Sequence, residues 1–335
     1  MAEQTAFAAE LQHKIDTKTK PLGALGRIEE MAAQIATLQQ TLTPKMETCQ
    51  LTIFAADHGI AQSGVSLFPQ EVTRQMVLNF AGGGAAANVF ARTNGIDLRV
   101  VNAGVAGDAI DAPGLIDRRV GAGTANSLTG PAMTTAERDQ AIAYGEALGT
   151  DGDSDAVAFG EMGIGNTSAA ALIAHKLTDT PLDVLTGRGT GLDDDGLSKK
   201  TEILTQAASR TGNLDAAETL AEYGGFEIAM MAGAMMSAAS AGRLVIVDGF
   251  IASSAALIAT HLAPQSRDAM VFAHLSEEQG HGAMLSAMNA KPLLNLSLRL
   301  GEGTGALLAW PLLRSAAAML NDMASFETAG VSGPA

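Results

Sequence analysis

The chain has 335 residues, of which 47% are hydrophobic and only 4% aromatic, with 37 glycines and a formal net charge of −15. At roughly 100–200 residues per domain this length suits one large α/β domain with a satellite, or two domains, and the apolar content excludes a disordered chain. So acidic a surface repels a polyphosphate backbone, so nucleic acid is not an expected partner; the single cysteine, Cys49, excludes an intrachain disulfide or a thiolate-only metal site, as suits the cytoplasm.

The first residues, MAEQTAFAAELQHK, lack the basic start and apolar core of a signal peptide. Apolar residues at helical spacing over 6–40 are broken by TKTKPLGALGR, where Pro21, Gly23 and Gly26 separate two helices. Four short apolar runs then read as buried strands: 51–55, 98–101, 156–159 and 244–247. They alternate with helical segments over 70–93, 167–177, 199–211 and 226–239. Such alternation predicts a parallel sheet flanked by helices, with ligands beyond the carboxyl ends of the strands. The most apolar stretch, 228–259, is cut by Gly242, Arg243, Asp248 and Gly249, so no membrane span is expected. After Met288 the pattern turns helical again around the interruption RLGEGTG, and the two helical chain ends are expected to pair as a small lobe.

The loop GEMGIGNTS, residues 160–168, follows a strand and opens a helix. Free N–H groups at a helix start, with Gly163 and Gly165 permitting close approach and Asn166 and Thr167 adding donors, form an anion site suited to phosphate. The spacing is neither the dinucleotide nor the Walker motif, so a capped helix after a tight turn explains the string equally well. Glu161 would be an unfavourable neighbour of a phosphate unless it served another part of the ligand. Glu302, between glycines in GEGTGA, is either a solvated turn residue or a desolvated carboxylate whose raised pKa suits a base.

Other polar clusters read more plainly. Asp151, Asp153 and Asp155 lack the Gly and Glu of a calcium loop, since Ala156 and Met162 stand at those positions, and belong to a solvated loop. Asp193 to Asp195 form a helix-start cluster before Lys199 and Lys200. His58, at a strand end, is either a base or, more readily, a hydrogen-bonded structural residue; His274 and His281 flank the acidic helix start SEEQGH. Cys49 is expected to be inert, and the methionines of IAMMAGAMMSAA to fill the core. No metal ligand set and no cofactor are expected.

Taken in order, KPLGALGRIE, FAADHGIAQSGVS with FPQEVTRQMV, NAGV, GTANSLTGPAM, GEMGIGNTSAA, GRGTGLDDDGLSKK, GGFEIAMMAGAMM, DGFIASSAAL and LRLGEGTGALLAWPLL span nearly the whole chain. In this set the chain resembles the nicotinate-nucleotide:dimethylbenzimidazole phosphoribosyltransferase family, which makes the lower-ligand nucleotide of cobalamin. The resemblance implies a six-stranded parallel, Rossmann-like sheet flanked by helices over 45–285, a small helical domain from 1–44 and 286–335 that contributes the Glu302 loop, and a homodimer. It implies transfer of 5-phosphoribosyl from nicotinate mononucleotide to 5,6-dimethylbenzimidazole or a related base, giving α-ribazole 5′-phosphate and nicotinate. By the same resemblance Glu302 matches the catalytic base, Glu161 the second carboxylate, and Lys200 the lysine near the nucleotide. Ser66, Phe68 and Gln75 would line the base pocket, and the preferred base is left open.

The residues suit that chemistry independently of the name. Nicotinate leaves C1′ as a neutral pyridine ring already activated as a pyridinium, so no general acid is required; a carboxylate within reach of the benzimidazole N–H relieves the charge that appears on attack. One in-line displacement inverts C1′. Fixed donors of the GIGNTS loop and one cation, Lys200, suffice for the phosphate without magnesium. A nucleotide-dependent kinase would instead need a Walker lysine or magnesium-placed carboxylates, and a non-catalytic base-binding protein could dispense with Glu302.

Overall fold

The computed structural model describes residues 2–189 and 191–332. Six parallel strands form one sheet: β1 (Cys49–Ala56), β2 (Asp97–Gly104), β3 (Leu115–Asp117), β4 (Ala156–Met162), β5 (Leu244–Val247) and β6 (Met270–Phe272). Their order is β3-β2-β1-β4-β5-β6. The order reverses between β1 and β4, which opens a crevice at their carboxyl ends.

The apolar runs are continuous because both faces of the sheet are covered. Phe54, Val157, Phe159, Val245 and Val247 face a core shared with the helices Asn166–Thr178, Phe226–Ser240 and Phe250–Leu262. The alternate residues Ile53, Ala156, Ala158, Leu244 and Ile246 face a second core. That second layer contains Leu11 and Ile15 of the helix Ala2–Asp16, Met31 and Ile35 of Arg27–Leu38, and Trp310, Leu313 and Leu320 of Thr304–Asp322. The two chain ends therefore pack together, and the core they share is continuous with one face of the sheet. Cys49 opens β1 and is buried, which pushes its thiol well above the ordinary range.

Several elements depart from the sequence expectation. β3 and β6 have three residues each, too few to carry a periodic signal. The helical pattern over 70–93 is two helices, Glu71–Ala81 and Ala86–Asn94, divided by Gly82, Gly83 and Gly84. The helix expected over 199–211 begins earlier, as Asp194–Ala208, because the Asp193 carboxylate caps it by accepting the Gly196 N–H at 2.8 Å. Among the described residues no helix is long and apolar enough to cross a membrane.

Candidate active site

A cavity of about 560 Å³ lies at the switch point, lined from the loops after β1, β4, β5 and β6 and from residues 297–302. Glu161, near the end of β4, and Glu302, on the turn before the helix Thr304–Asp322, both reach its wall, and both are buried. They are close neighbours: a β-carbon at Gly301 would run into Glu161 Oε1.

The chain leaves β4 through Gly163, Ile164 and Gly165 and enters the helix Asn166–Thr178. A side chain at Gly163 would collide with the Ala56 carbonyl at the end of β1, and Gly165 has φ +98°, so this loop passes the sheet edge only with glycine at both places. Asn166 then donates its amide to Glu161 Oε2. Burial is the main cause that lifts Glu161 from 4.5 to about 8; Glu227, Asp248 and Glu302 add to it, and Asn166 opposes it.

Glu302 sits in a left-handed turn with φ +83° at Gly301, +61° at Glu302 and +81° at Gly303. For a residue with a β-carbon this conformation costs on the order of 1–2 kcal/mol. Its Oε2 accepts the Ala87 N–H at 3.4 Å, from the first turn of the helix Ala86–Asn94. Burial raises the Glu302 pKa and Asp248 raises it further, while the Ala87 N–H opposes the shift.

The expected phosphate loop lies on the cavity wall from Gly163 to Thr167. Lys200 does not: it is buried behind Thr167, donating Nζ to Thr167 Oγ1 at 2.9 Å and to the Gly187 carbonyl at 3.1 Å. Burial lowers its pKa to about 8, with Glu278 opposing. Two of its three Nζ donors are thus committed to the wall, where Thr167 is the cavity residue it holds. Among the described residues, the guanidinium on the wall is that of Arg299, which donates to the Gly189 carbonyl at 3.1 Å. Ser66 and Phe68 line the cavity with Val72, Met76 and Met162. Gln75 does not, because it occupies the exposed face of the helix Glu71–Ala81, one position before Met76.

The histidines serve the wall. His58 Nε2 pairs with Glu227 Oε1 at 2.6 Å, fully buried beneath the Gly163–Gly165 turn. Burial alone would depress His58, but the Glu227 carboxylate reverses this and raises it. His281 is held neutral, lowered to about 3 by burial and by His274. Its Nδ1 accepts the Ser276 N–H and its Nε2 meets Ser253 Oγ, each at 2.9 Å, which pins Ser276 on the wall. Asp155 binds the Glu47 and Thr48 N–H groups, and Asp151 pairs with Arg99, so this acidic run ties down loops. Among the described residues no group of three or more His, Cys, Asp and Glu side chains is arranged to hold a metal ion.

Sequence reasoning missed Asp248, His274, Ser276, Glu278 and Arg299 as wall residues. The available signal was positional: Asp248 directly follows the run 244–247, and carboxyl ends of strands carry sites.

A doubly wound parallel sheet with two desolvated carboxylates facing a ligand-sized cavity at its switch point has the make-up of an α/β enzyme whose ligand binds at the strand ends. A family described as phosphoribosyltransferase matches residues 2–331, and the chain belongs to that family. It is 57% identical over 330 residues to the nicotinate-nucleotide–dimethylbenzimidazole phosphoribosyltransferase of Dechloromonas aromatica, covering 96% of this chain and 94% of the relative. It is 54% identical to the Ralstonia nicotianae enzyme of the same name, covering 98% and 94%. Among solved structures, CobT from Thermus thermophilus superposes with a TM-score of 0.95 at 43% identity, over 98% of this chain and 100% of the other.

Proposed function

We infer that the protein transfers 5-phosphoribosyl from nicotinate mononucleotide to 5,6-dimethylbenzimidazole or a related base, releasing nicotinate and giving α-ribazole 5′-phosphate. The observation that carries this reading is the pair of buried carboxylates, Glu161 and Glu302, on one cavity wall of a chain related end to end to enzymes named for that reaction.

In this reading one benzimidazole nitrogen attacks C1′ while the bond to nicotinate breaks and its electron pair returns to the pyridine ring. Glu302 takes the proton from the opposite N–H as charge develops there, which its raised pKa favours. Attack opposite the leaving group inverts C1′. Glu161, oriented by Asn166 and holding its proton below its pKa of about 8, faces the ribose and orients it by hydrogen bonding. The 5′-phosphate rests on the N–H groups at the start of the helix Asn166–Thr178, with Thr167 held by Lys200 and Arg299 adding positive charge at the wall. Ser66, Phe68, Met76 and Met162 receive the base. The active unit in this proposal is a cytoplasmic homodimer whose small lobe, residues 1–44 and 286–335, brings the Glu302 turn onto the large one.

The direct test is to incubate the protein with nicotinate mononucleotide and dimethylbenzimidazole and follow nicotinate by chromatography. Base-dependent release of one nicotinate per ribazole phosphate is expected. Absence of nicotinate at saturating substrates would reject the reading.

A further inference from the structure

The turn that carries Glu302 is held from outside itself. The helix Thr304–Asp322 begins behind Gly303, which has no side chain to cap it, and the turn includes a non-glycine residue at φ +61°. The Asp248 carboxylate supplies the cap from another element: its Oδ2 accepts the Gly303 N–H at 3.2 Å and its Oδ1 accepts the Ala306 N–H at 2.9 Å. Asp248 follows β5, whose four residues are fully buried and which pairs with β4 and β6. Glu161 stands on the adjacent strand, β4.

We propose that Asp248 is a positioning residue for the transfer reaction, its carboxylate clamping the left-handed Glu302 turn to the sheet edge that also carries Glu161. The separation of the two site carboxylates is then set by neighbouring strand ends rather than by a free turn. Apart from the long Ala87 N–H bond to the Glu302 side chain and the Thr304 bonds to the Gly301 carbonyl within the turn, the other support is contact. The turn lies across Gly160 of β4, where a β-carbon would come within 2.6 Å of the Glu302 carbonyl, and Leu51 lies under Gly303. Such contacts resist compression but do not prevent the turn from lifting. Without the clamp, two buried N–H groups lose their acceptor, and relaxation of the turn toward commoner backbone angles swings Glu302 away.

Asp248 also acts by charge. The ionisable groups around the turn are Glu161 from β4, Glu227 with its partner His58 behind β4, and His274 after β6, whose Nε2 is 3.9 Å from Asp248 Oδ1. Burial raises the Asp248 pKa, while His274 and the N–H groups it caps oppose the shift; in its ionised form Asp248 disfavours ionisation of both Glu302 and Glu161. Neutralising it lets both ionise at lower pH.

This inference rests on the transferase reading, and the wild-type assay separates the two: an inactive wild type fails that reading, whereas an active wild type leaves the clamp to be judged on its variants. In Asp248→Asn, the amide replaces one acceptor with a donor and removes the charge. Displacement of a catalytic group by about 1 Å is enough to lower kcat on the order of 10- to 100-fold, while KM for nicotinate mononucleotide should stay within about threefold. The acid limb of the kcat profile should move to lower pH, which loss of packing alone would not cause. Turnover near wild type overturns the proposal, as does a fall in kcat with an unmoved acid limb. If Asp248→Asn does not fold, Asp248→Glu keeps the charge and displaces the cap by one methylene. A loss of kcat without a rise in nucleotide KM then supports the clamp, and normal kcat overturns it. Failure of both variants to fold makes Asp248 a folding residue and also overturns it.

Discussion

Replacing Glu302 by Gln separates chemistry from structure unusually well at this position. Gln has the same shape, has no branched β-carbon to aggravate the φ of +61°, and retains an oxygen to accept the Ala87 N–H at 3.4 Å. Losing the charge on so long a hydrogen bond should change stability by no more than about 1 kcal/mol. The sign favours the variant as pH rises: the folded pKa of Glu302 lies above its unfolded value, so the wild type loses stability as pH climbs through the folded pKa, and a neutral Gln does not. Loss of a general base, by contrast, should lower kcat on the order of 10²- to 10⁴-fold, about 2.7–5.5 kcal/mol of barrier. The kinetic effect therefore exceeds the structural one several times over. Nicotinate release measured under saturating substrates, beside thermal melts at pH 6 and pH 9, reads both. Near-wild-type turnover in a folded Glu302→Gln protein would refute the base assignment and move the role to Glu161 or to solvent.

Glu161→Gln should cost less turnover than Glu302→Gln and should stabilise the protein at high pH: with a folded pKa of about 8 against 4.5, the wild type loses stability between those values and the variant does not. Equal melting temperatures for wild type and variant at pH 9 would argue against a buried, proton-holding Glu161. Lys200→Ala should chiefly raise KM for nicotinate mononucleotide by freeing Thr167, and an unchanged nucleotide KM would reject the link from Lys200 to the phosphate. Because Met76, Met162 and Phe68 offer flexible apolar contact, worth about 1–3 kcal/mol of discrimination per methylene, benzimidazole and other bases should be processed at different rates. Strict use of dimethylbenzimidazole at saturation would contradict this.

Local sequence determined much of the architecture. Strands buried on both faces are almost continuously apolar, so LTIFA, with Thr52 its one polar residue, and LVIV declare a parallel sheet without reference to anything distant. The glycines of GEMGIGNTS and LGEGTG mark backbone that must turn sharply or run close to its neighbour, and both strings do so around Glu161 and Glu302. Tertiary structure alone decided which side chains meet. β3 and β6 exist because their neighbours offer an edge to pair with, since three residues hold no period of their own. Gln75 and Met76 are adjacent in sequence, yet the phase of one helix turns only the methionine into the cavity. Lys200 is hidden because Thr167, on another helix, stands in front of it. Asp248 meets Gly303 and Ala306 across more than fifty residues of chain, and the ends of the chain meet each other in one core. Periodicity and backbone geometry are local quantities and can be read from a string; a contact between distant residues is a property of the packed sheet, and only the folded chain contains it.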